Sequence, residues 1–319
     1  MRMALMTVLA LLLLGCEKEP AATAQSAKPK VALVMKSLAN EFFVRMADGA
    51  REHNDAHAER YDLIVNGIKD ESDLTQQVAL VEQMVATGAD VIVIAPADSK
   101  ALIPVIKRAL DSGVIVVNID NKLDAAVLAE VGIKVPFVGP DNREGARTVG
   151  DYLSGSLSPG DQVAIISGIS TAYNAQQRER GFVDAMTTAG MDIVSIQNGD
   201  WQQAKASTIT AALVTEYPDL QAVLCGNDNM AIGAIAALRQ AGKSGAVKVV
   251  GFDNIEAAHP LLRNGSLTAT ADQYAAQLAI YGIEYALQIL TDGETPADKK
   301  TPITLVTRED LLTTRRHLP

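Results

Sequence analysis

Val31-Ala-Leu-Val-Met35 runs directly into Lys36-Ser-Leu-Ala-Asn-Glu-Phe-Phe43, and this junction decides the fold. The apolar run is short and unbroken by charge, which suits a strand buried on both faces of a parallel sheet. Asn40 is a good helix N-cap, and Phe43, Ala47 and Ala50 follow at helical spacing. Strand, polar loop and helix therefore meet here, with an ammonium, an amide and two aromatics in the turn. In an open α/β sheet the loops beyond the carboxyl ends of the strands line the ligand crevice. Side chains adjacent on a helix point to different sides, so one of Phe42 and Phe43 is expected to face that crevice.

The pattern repeats along the chain. Strand-like runs begin near Val31, Tyr61, Val91 and Val114, at intervals of 30, 30 and 23 residues. A second set begins near Gln162, Asp192, Ala222 and Val247, at intervals of 30, 30 and 25. Amphipathic patterns such as Leu74/Val78/Val81/Val85 and Leu102/Val105/Ala109 lie between the runs. This punctuation predicts α/β architecture in two doubly wound parallel-sheet lobes. Val116-Val-Asn-Ile-Asp-Asn121 matches Val249-Val-Gly-Phe-Asp-Asn254 at the end of the fourth run of each set. Two strand-end carboxylates at equivalent places point to two half-sites facing one cleft. Beyond Asn264 come a short strand at Leu267–Gln273, a long helix pattern from Tyr274 to Leu290 and a last strand at Pro302–Val306. These pieces complete the two sheets and make both lobes discontinuous: residues 30–140 plus 274–302, and 141–273 plus 303–319.

The 319-residue chain carries a net charge of −10, a pI near 4.9 and a mean hydropathy of +0.11. That balance argues against nucleic acid, whose binding needs a basic face. Residues 1–16 read as a lipoprotein signal peptide. Met1-Arg2 is a minimal positive end, Met3 to Leu14 is too short to span a bilayer, and Leu13-Leu-Gly-Cys16 resembles a bacterial lipobox. Cys16 is then the lipidated first residue of the mature chain, and residues 17–29 form a flexible tether. Cys225 is left alone, so no disulfide is available.

Motifs for covalent chemistry and cofactors are incomplete. No two of the 23 glycines are separated by a single residue, which excludes the dinucleotide fingerprint. Gly242-Lys-Ser244 has Ala237 where a phosphate loop needs glycine, and Gly168-Ile-Ser170 does not complete a nucleophile elbow. His53 and His57 lie one helical turn apart, yet Asn54 replaces the metalloprotease glutamate and no third ligand follows. No cofactor and no metal are expected.

The polar residues placed directly after strands are Lys36, Asp120, Asn121, Asn227, Asp253 and Gln273, with Phe42, Phe43 and Trp201 as aromatic company. Sugars need this mixture. Each hydroxyl both donates and accepts, while the C–H face of the ring packs on aromatics. The stretches MKSLANEFF (35–43), VIAPADS (93–99), VVNIDN (116–121), QQRERGF (176–182), CGNDNMAIGA (225–234), VVGFDN (249–254) and ATADQ (269–273) resemble the type I periplasmic sugar-binding proteins of the ribose-binding group. The resemblance runs from about Pro29 to Arg308. It implies ligand contacts from Asn40, Phe42, Phe43, Asp120, Trp201, Asn227, Asp253 and Gln273. It implies three hinge segments as well, near Gly139–Asn142, Asp272–Tyr274 and Pro302–Thr304.

Three positions depart from the ribose-binding pattern. Lys36 stands where a small hydroxyl residue is usual, Asn121 replaces an arginine, and Trp201 replaces a phenylalanine. In QQRERGF the contact is assigned to Arg178, with Gln176 as the alternative. A pentose, hexose or polyol all remain open as ligand. The resemblance implies a monomer, held at the extracytoplasmic membrane face by its lipid, that delivers a sugar to an ABC transporter permease. A ligand-presenting sensor for a chemoreceptor or kinase is the alternative. A LacI-type ligand domain would need a basic helix-turn-helix where the leader and tether stand, and an enzyme would need a nucleophile, base or metal set.

Overall fold

A computed structural model describes residues 28–314; Cys16, the leader and most of the tether lie outside the described residues. Lys28 and Pro29 already belong to the fold. Lys28 pairs with Asp62, and the Pro29 carbonyl accepts from the Asp62 amide.

The first lobe runs β1 (Lys30–Ser37), α1 (Glu41–Ala56), β2 (Asp62–Ile68), α2 (Leu74–Ala86), β3 (Val91–Ile94), α3 (Ile103–Asp111), β4 (Ile115–Ile119), α4 (Ala125–Glu130) and β5 (Phe137–Gly139). The second runs α5 (Asn142–Ser154), β6 (Gln162–Ser167), α6 (Tyr173–Thr188), β7 (Asp192–Asn198), α7 (Gln203–Glu216), β8 (Leu220–Cys225), α8 (Asp228–Gln240), β9 (Lys248–Val250), a 3₁₀ turn (Glu256–Ala258), α9 (His259–Asn264) and β10 (Ala269–Asp272). The chain then returns through α10 (Ala275–Asp292) and β11 (Lys299–Lys300) to the first lobe, and ends with β12 (Thr304–Thr307) and α11 (Arg308–Thr314) in the second.

The strand orders are β11-β5-β4-β3-β1-β2 and β12-β10-β9-β8-β6-β7. Every pairing is parallel except β10 with β12. The repeat seen in the sequence is thus a repeat of topology, and the α/β reading holds. Central strands carry the apolar runs: all four residues of β3 and seven of the eight in β1 are buried. The outer strands β2 and β7 are only partly covered and mix polar residues into their patterns.

The chain passes between the sheets at three places: between β5 and α5, between β10 and α10, and between β11 and β12. They fall at the stretches that the resemblance implies as hinges. β12 begins at Thr304 rather than Pro302, since Pro302 lacks an amide hydrogen and cannot donate to a ladder. The long helix α10 returns to cover the first sheet, packing on α1, β3 and β4. Its contact with α1 needs Gly49, where a Cβ would stand 2.4 Å from that of Ala276. Among the described residues no helix is long and apolar enough to cross a membrane.

Candidate functional site

Both sheets present their carboxyl ends to one cleft. Ten of the eleven residues expected to touch ligand line a single cavity there.

In the first lobe, Asn40 caps α1 by accepting from the Phe42 amide at 3.1 Å. Its amide nitrogen donates to Glu71 Oε1 at 3.0 Å, so both ends of the side chain are committed. Phe42 and Phe43 meet edge to face, 5.1 Å between centroids, and both line the cavity. Helix geometry alone places one of them at the cleft, and the resemblance implies both; both are there. The cavity sits over the first turn of α1 and accepts two adjacent side chains from it. Lys36 is almost fully buried at the end of β1, with Nζ 3.1 Å from Asp120 Oδ2 and 3.9 Å from Glu71 Oε2. Burial raises the Glu71 carboxyl above its ordinary value, against the pull of the Lys36 ammonium and the Asn40 hydrogen bond.

The second lobe supplies Arg178 from α6. Its Nε donates to Asn142 Oδ1 at 2.7 Å, and Nη1 donates to the Gly226 carbonyl at 2.9 Å and to Asp253 Oδ1 at 3.2 Å. The guanidinium lies 3.8 Å from the centroid of Phe252 and 5.6 Å from that of Trp201. Gln273, just beyond β10, donates to the same Asp253 Oδ1 at 2.7 Å. Burial pushes the Asp253 carboxyl up to about 7, although Arg178 and the Gln273 bond favour its ionised form. Asn227 caps α8 by accepting from the Met230 amide at 2.9 Å, which turns its amide nitrogen toward Trp201 and the cleft. The indole of Trp201 lies against Gly168, where a Cβ would meet the ring at 2.1 Å. Only glycine leaves room for it.

Three of these residues hold strained backbones. Asp120, Trp201 and Asp253 have φ of 62°, 66° and 111°, and Tyr274 at the second crossing has 54°. Left-handed non-glycine residues cost free energy and cluster at functional sites. Three atoms of the lining are buried without a hydrogen-bond partner: Asp120 Oδ2, Trp201 Nε1 and Gln273 Oε1. Asp120 Oδ2 faces the Lys36 ammonium as an ion pair, out of line for a hydrogen bond. Buried polar atoms are normally paired, so two acceptors and one donor await a ligand here.

Asn121 is the exception among the expected contacts. It is fully buried outside the cavity, with Nδ2 donating to the Pro96 carbonyl at 2.9 Å and Oδ1 accepting from the Asn174 amide at 3.1 Å. The left-handed turn at Asp120 swings the next side chain away from the cleft. Of the two candidates on α6, Arg178 reaches the cavity, while Gln176 is exposed and bonded to the Ser170 carbonyl.

Glu71 and Asn174 also line the cavity, and nothing in their local sequence singles them out. Behind them lies a supporting layer. Gln77, fully buried, ties the Met35 and Ala95 carbonyls and the Ala97 amide together beneath the ends of β1 and β3. Asp228 accepts from Thr270 Oγ1 and the Ile255 amide, fixing the loop that carries Asp253. Burial raises the Asp228 carboxyl well above its usual value. The lining offers hydrogen-bond donors, acceptors and aromatic faces, with no histidine, cysteine or serine among them.

Comparison with known proteins places this geometry among relatives. The chain is 56% identical over 285 residues to the D-ribose/D-allose-binding protein of Pseudomonas aeruginosa, covering 88% of this chain and 89% of that one. A solute-binding protein of Burkholderia multivorans, solved with an unknown ligand represented as α-D-erythrofuranose, superposes with a TM-score of 0.87 at 57% identity, covering 88% of this chain and all of that one. The periplasmic solute-binding protein of Actinobacillus succinogenes with bound D-allose gives a TM-score of 0.85 at 33% identity, covering 90% of this chain and all of that one. The periplasmic binding protein domain matches residues 31–295, and the chain, with its two parallel-sheet lobes closed over one polar cavity, belongs to that family.

Proposed function

We propose that this protein captures a single monosaccharide between its lobes and presents it to an ABC importer, as a carrier and not a catalyst. The observation that carries this reading is the set of buried atoms without a hydrogen bond, Asp120 Oδ2, Trp201 Nε1 and Gln273 Oε1, gathered around one cavity between the lobes. A ring sugar meets them with hydroxyls that both donate and accept, and offers its C–H faces to Phe42, Phe43 and Trp201. Carboxylate, ammonium and guanidinium partners strengthen such bonds to about 1.5–3 kcal/mol each. Relatives that bind D-ribose and D-allose make these two sugars, which share the orientation of their neighbouring ring hydroxyls, the first ligands to test.

Trp201 is the only tryptophan in the chain, so its fluorescence reports the site without interference. Titration with D-ribose or D-allose is expected to shift that emission, saturating at one sugar per protein with the same affinity by calorimetry. Trp201→Ala should lose more than about 1 kcal/mol of binding through lost stacking and burial. Trp201→Phe keeps an aromatic face and should lose less. Full affinity in Trp201→Ala would remove the residue from the site.

The membrane link belongs to Cys16. Acylation there anchors the carrier at the extracytoplasmic face, next to the permease. Cys16→Ser should abolish labelling by a fatty-acid analogue and move the protein to the soluble fraction. Retained labelling would place the lipid elsewhere or nowhere.

A further inference from the structure

Helix α6 begins without a cap of its own. Its N-cap residue is Ala172, which has no side-chain oxygen to offer the first amides. Those amides are satisfied from the other lobe. The Tyr173 amide donates to Ser99 Oγ at 2.9 Å, and the Asn174 amide donates to Asn121 Oδ1 at 3.1 Å. The Ser99 amide returns a bond to the Thr171 carbonyl at 3.4 Å.

Both acceptors are fixed in place by the first lobe. Ser99, beyond the end of β3, and Asn121, beyond the end of β4, are buried. Ser99 Oγ donates to Asn121 Oδ1 at 3.3 Å, Asn121 Nδ2 holds the Pro96 carbonyl, and the Ser99 carbonyl accepts from the Asp124 amide at 2.8 Å. Asn174 and Arg178 follow at i and i+4 on α6, so the helix end gripped by the first lobe is the one that aims these residues into the cavity.

We infer that Ser99 and Asn121 are positioning residues that cap α6 across the cleft only when the lobes are shut, and so hold the bound sugar in place. The inference rests on the proposed capture of a monosaccharide by closure. A bond that exists in the shut form alone shifts the balance toward that form, and only such differential contacts can. Its rupture precedes escape of the ligand, so its loss falls on the release rate while the encounter rate is untouched. This also gives Asn121 a role that does not require it to touch the sugar.

Stopped-flow measurement with D-ribose, read by Trp201 emission, tests the inference. Ser99→Ala should release the sugar about three- to tenfold faster, the factor that one ordinary hydrogen bond supplies. Its association rate and the melting temperature of the ligand-free protein should stay as in the wild type. Ser99→Thr retains the γ-oxygen and should restore slow release. In the wild type, hydrogen exchange at the Tyr173 and Asn174 amides should slow when the sugar is added. Failure of the wild type to bind the sugar refutes the proposed function before any variant is made. Wild-type binding with an unchanged release rate in Ser99→Ala, or with a parallel fall in ligand-free melting, overturns the cross-lobe cap alone, as do unprotected amides in the sugar-bound wild type.

Discussion

Arg178→Ala should abolish measurable sugar capture, with an affinity loss of at least about a hundredfold, or roughly 3 kcal/mol. The guanidinium is 3% exposed and serves three acceptors at once: Asn142 Oδ1, the Gly226 carbonyl and Asp253 Oδ1. Asn142 opens α5 at the first crossing, so one side chain joins that crossing, the strand-end loop of β8 and the cavity carboxylate. Truncation leaves Asp253 buried with Gln273 as its remaining donor and uncovers the faces of Phe252 and Trp201. Arg178→Lys should rescue little, because a single ammonium cannot reproduce planar, forked donation to separated acceptors while stacked on a ring. Calorimetry on both variants checks this. Affinity within about threefold of the wild type in Arg178→Lys would show that charge alone suffices.

Asp120→Asn should weaken binding by at least about 2 kcal/mol while leaving the fold intact. Asparagine tolerates the left-handed backbone at φ 62° as aspartate does, so the substitution removes charge without new strain. Two losses combine. The ligand loses a charged acceptor at Oδ2, the atom without a hydrogen bond, and Lys36 keeps only the Glu71 carboxylate at 3.9 Å. Asp120→Ala should cost more than Asp120→Asn, since alanine adds the backbone strain as well. The melting temperature of ligand-free protein separates the two effects. An Asp120→Asn protein that binds D-ribose or D-allose as tightly as the wild type would remove the carboxylate from recognition.

The strand-end residues are legible in the sequence because a parallel sheet imposes a local rule. An apolar run that ends in a polar residue places that residue at the cleft, as at Lys36, Asp120, Asn227 and Asp253. The N-caps are equally local: Asn40 and Asn227 accept from amides two and three residues ahead. Glu71 offers no such signal. It stands three residues past the end of β2 in a polar loop, and reaches Lys36 because β2 pairs with β1, Met35 opposite Gly67.

Residue order sets the alternation of strands and helices, the duplication of that alternation, and the chemical types gathered at the strand ends. Each follows from interactions between residues close along the chain: burial period, capping and the strand-to-loop switch. Which polar atoms stay free is settled only by contacts between distant segments. Asn40, adjacent to the cleft, spends its amide on Glu71. Asn121, next to the ligand-facing Asp120, spends both ends on Pro96 and on the opposite lobe, whereas Asp120, Trp201 and Gln273 each keep an atom without a hydrogen bond. The choice depends on partners tens of residues away, brought within hydrogen-bond reach by strand order and by the closure of one lobe on the other, and no local pattern encodes those distances.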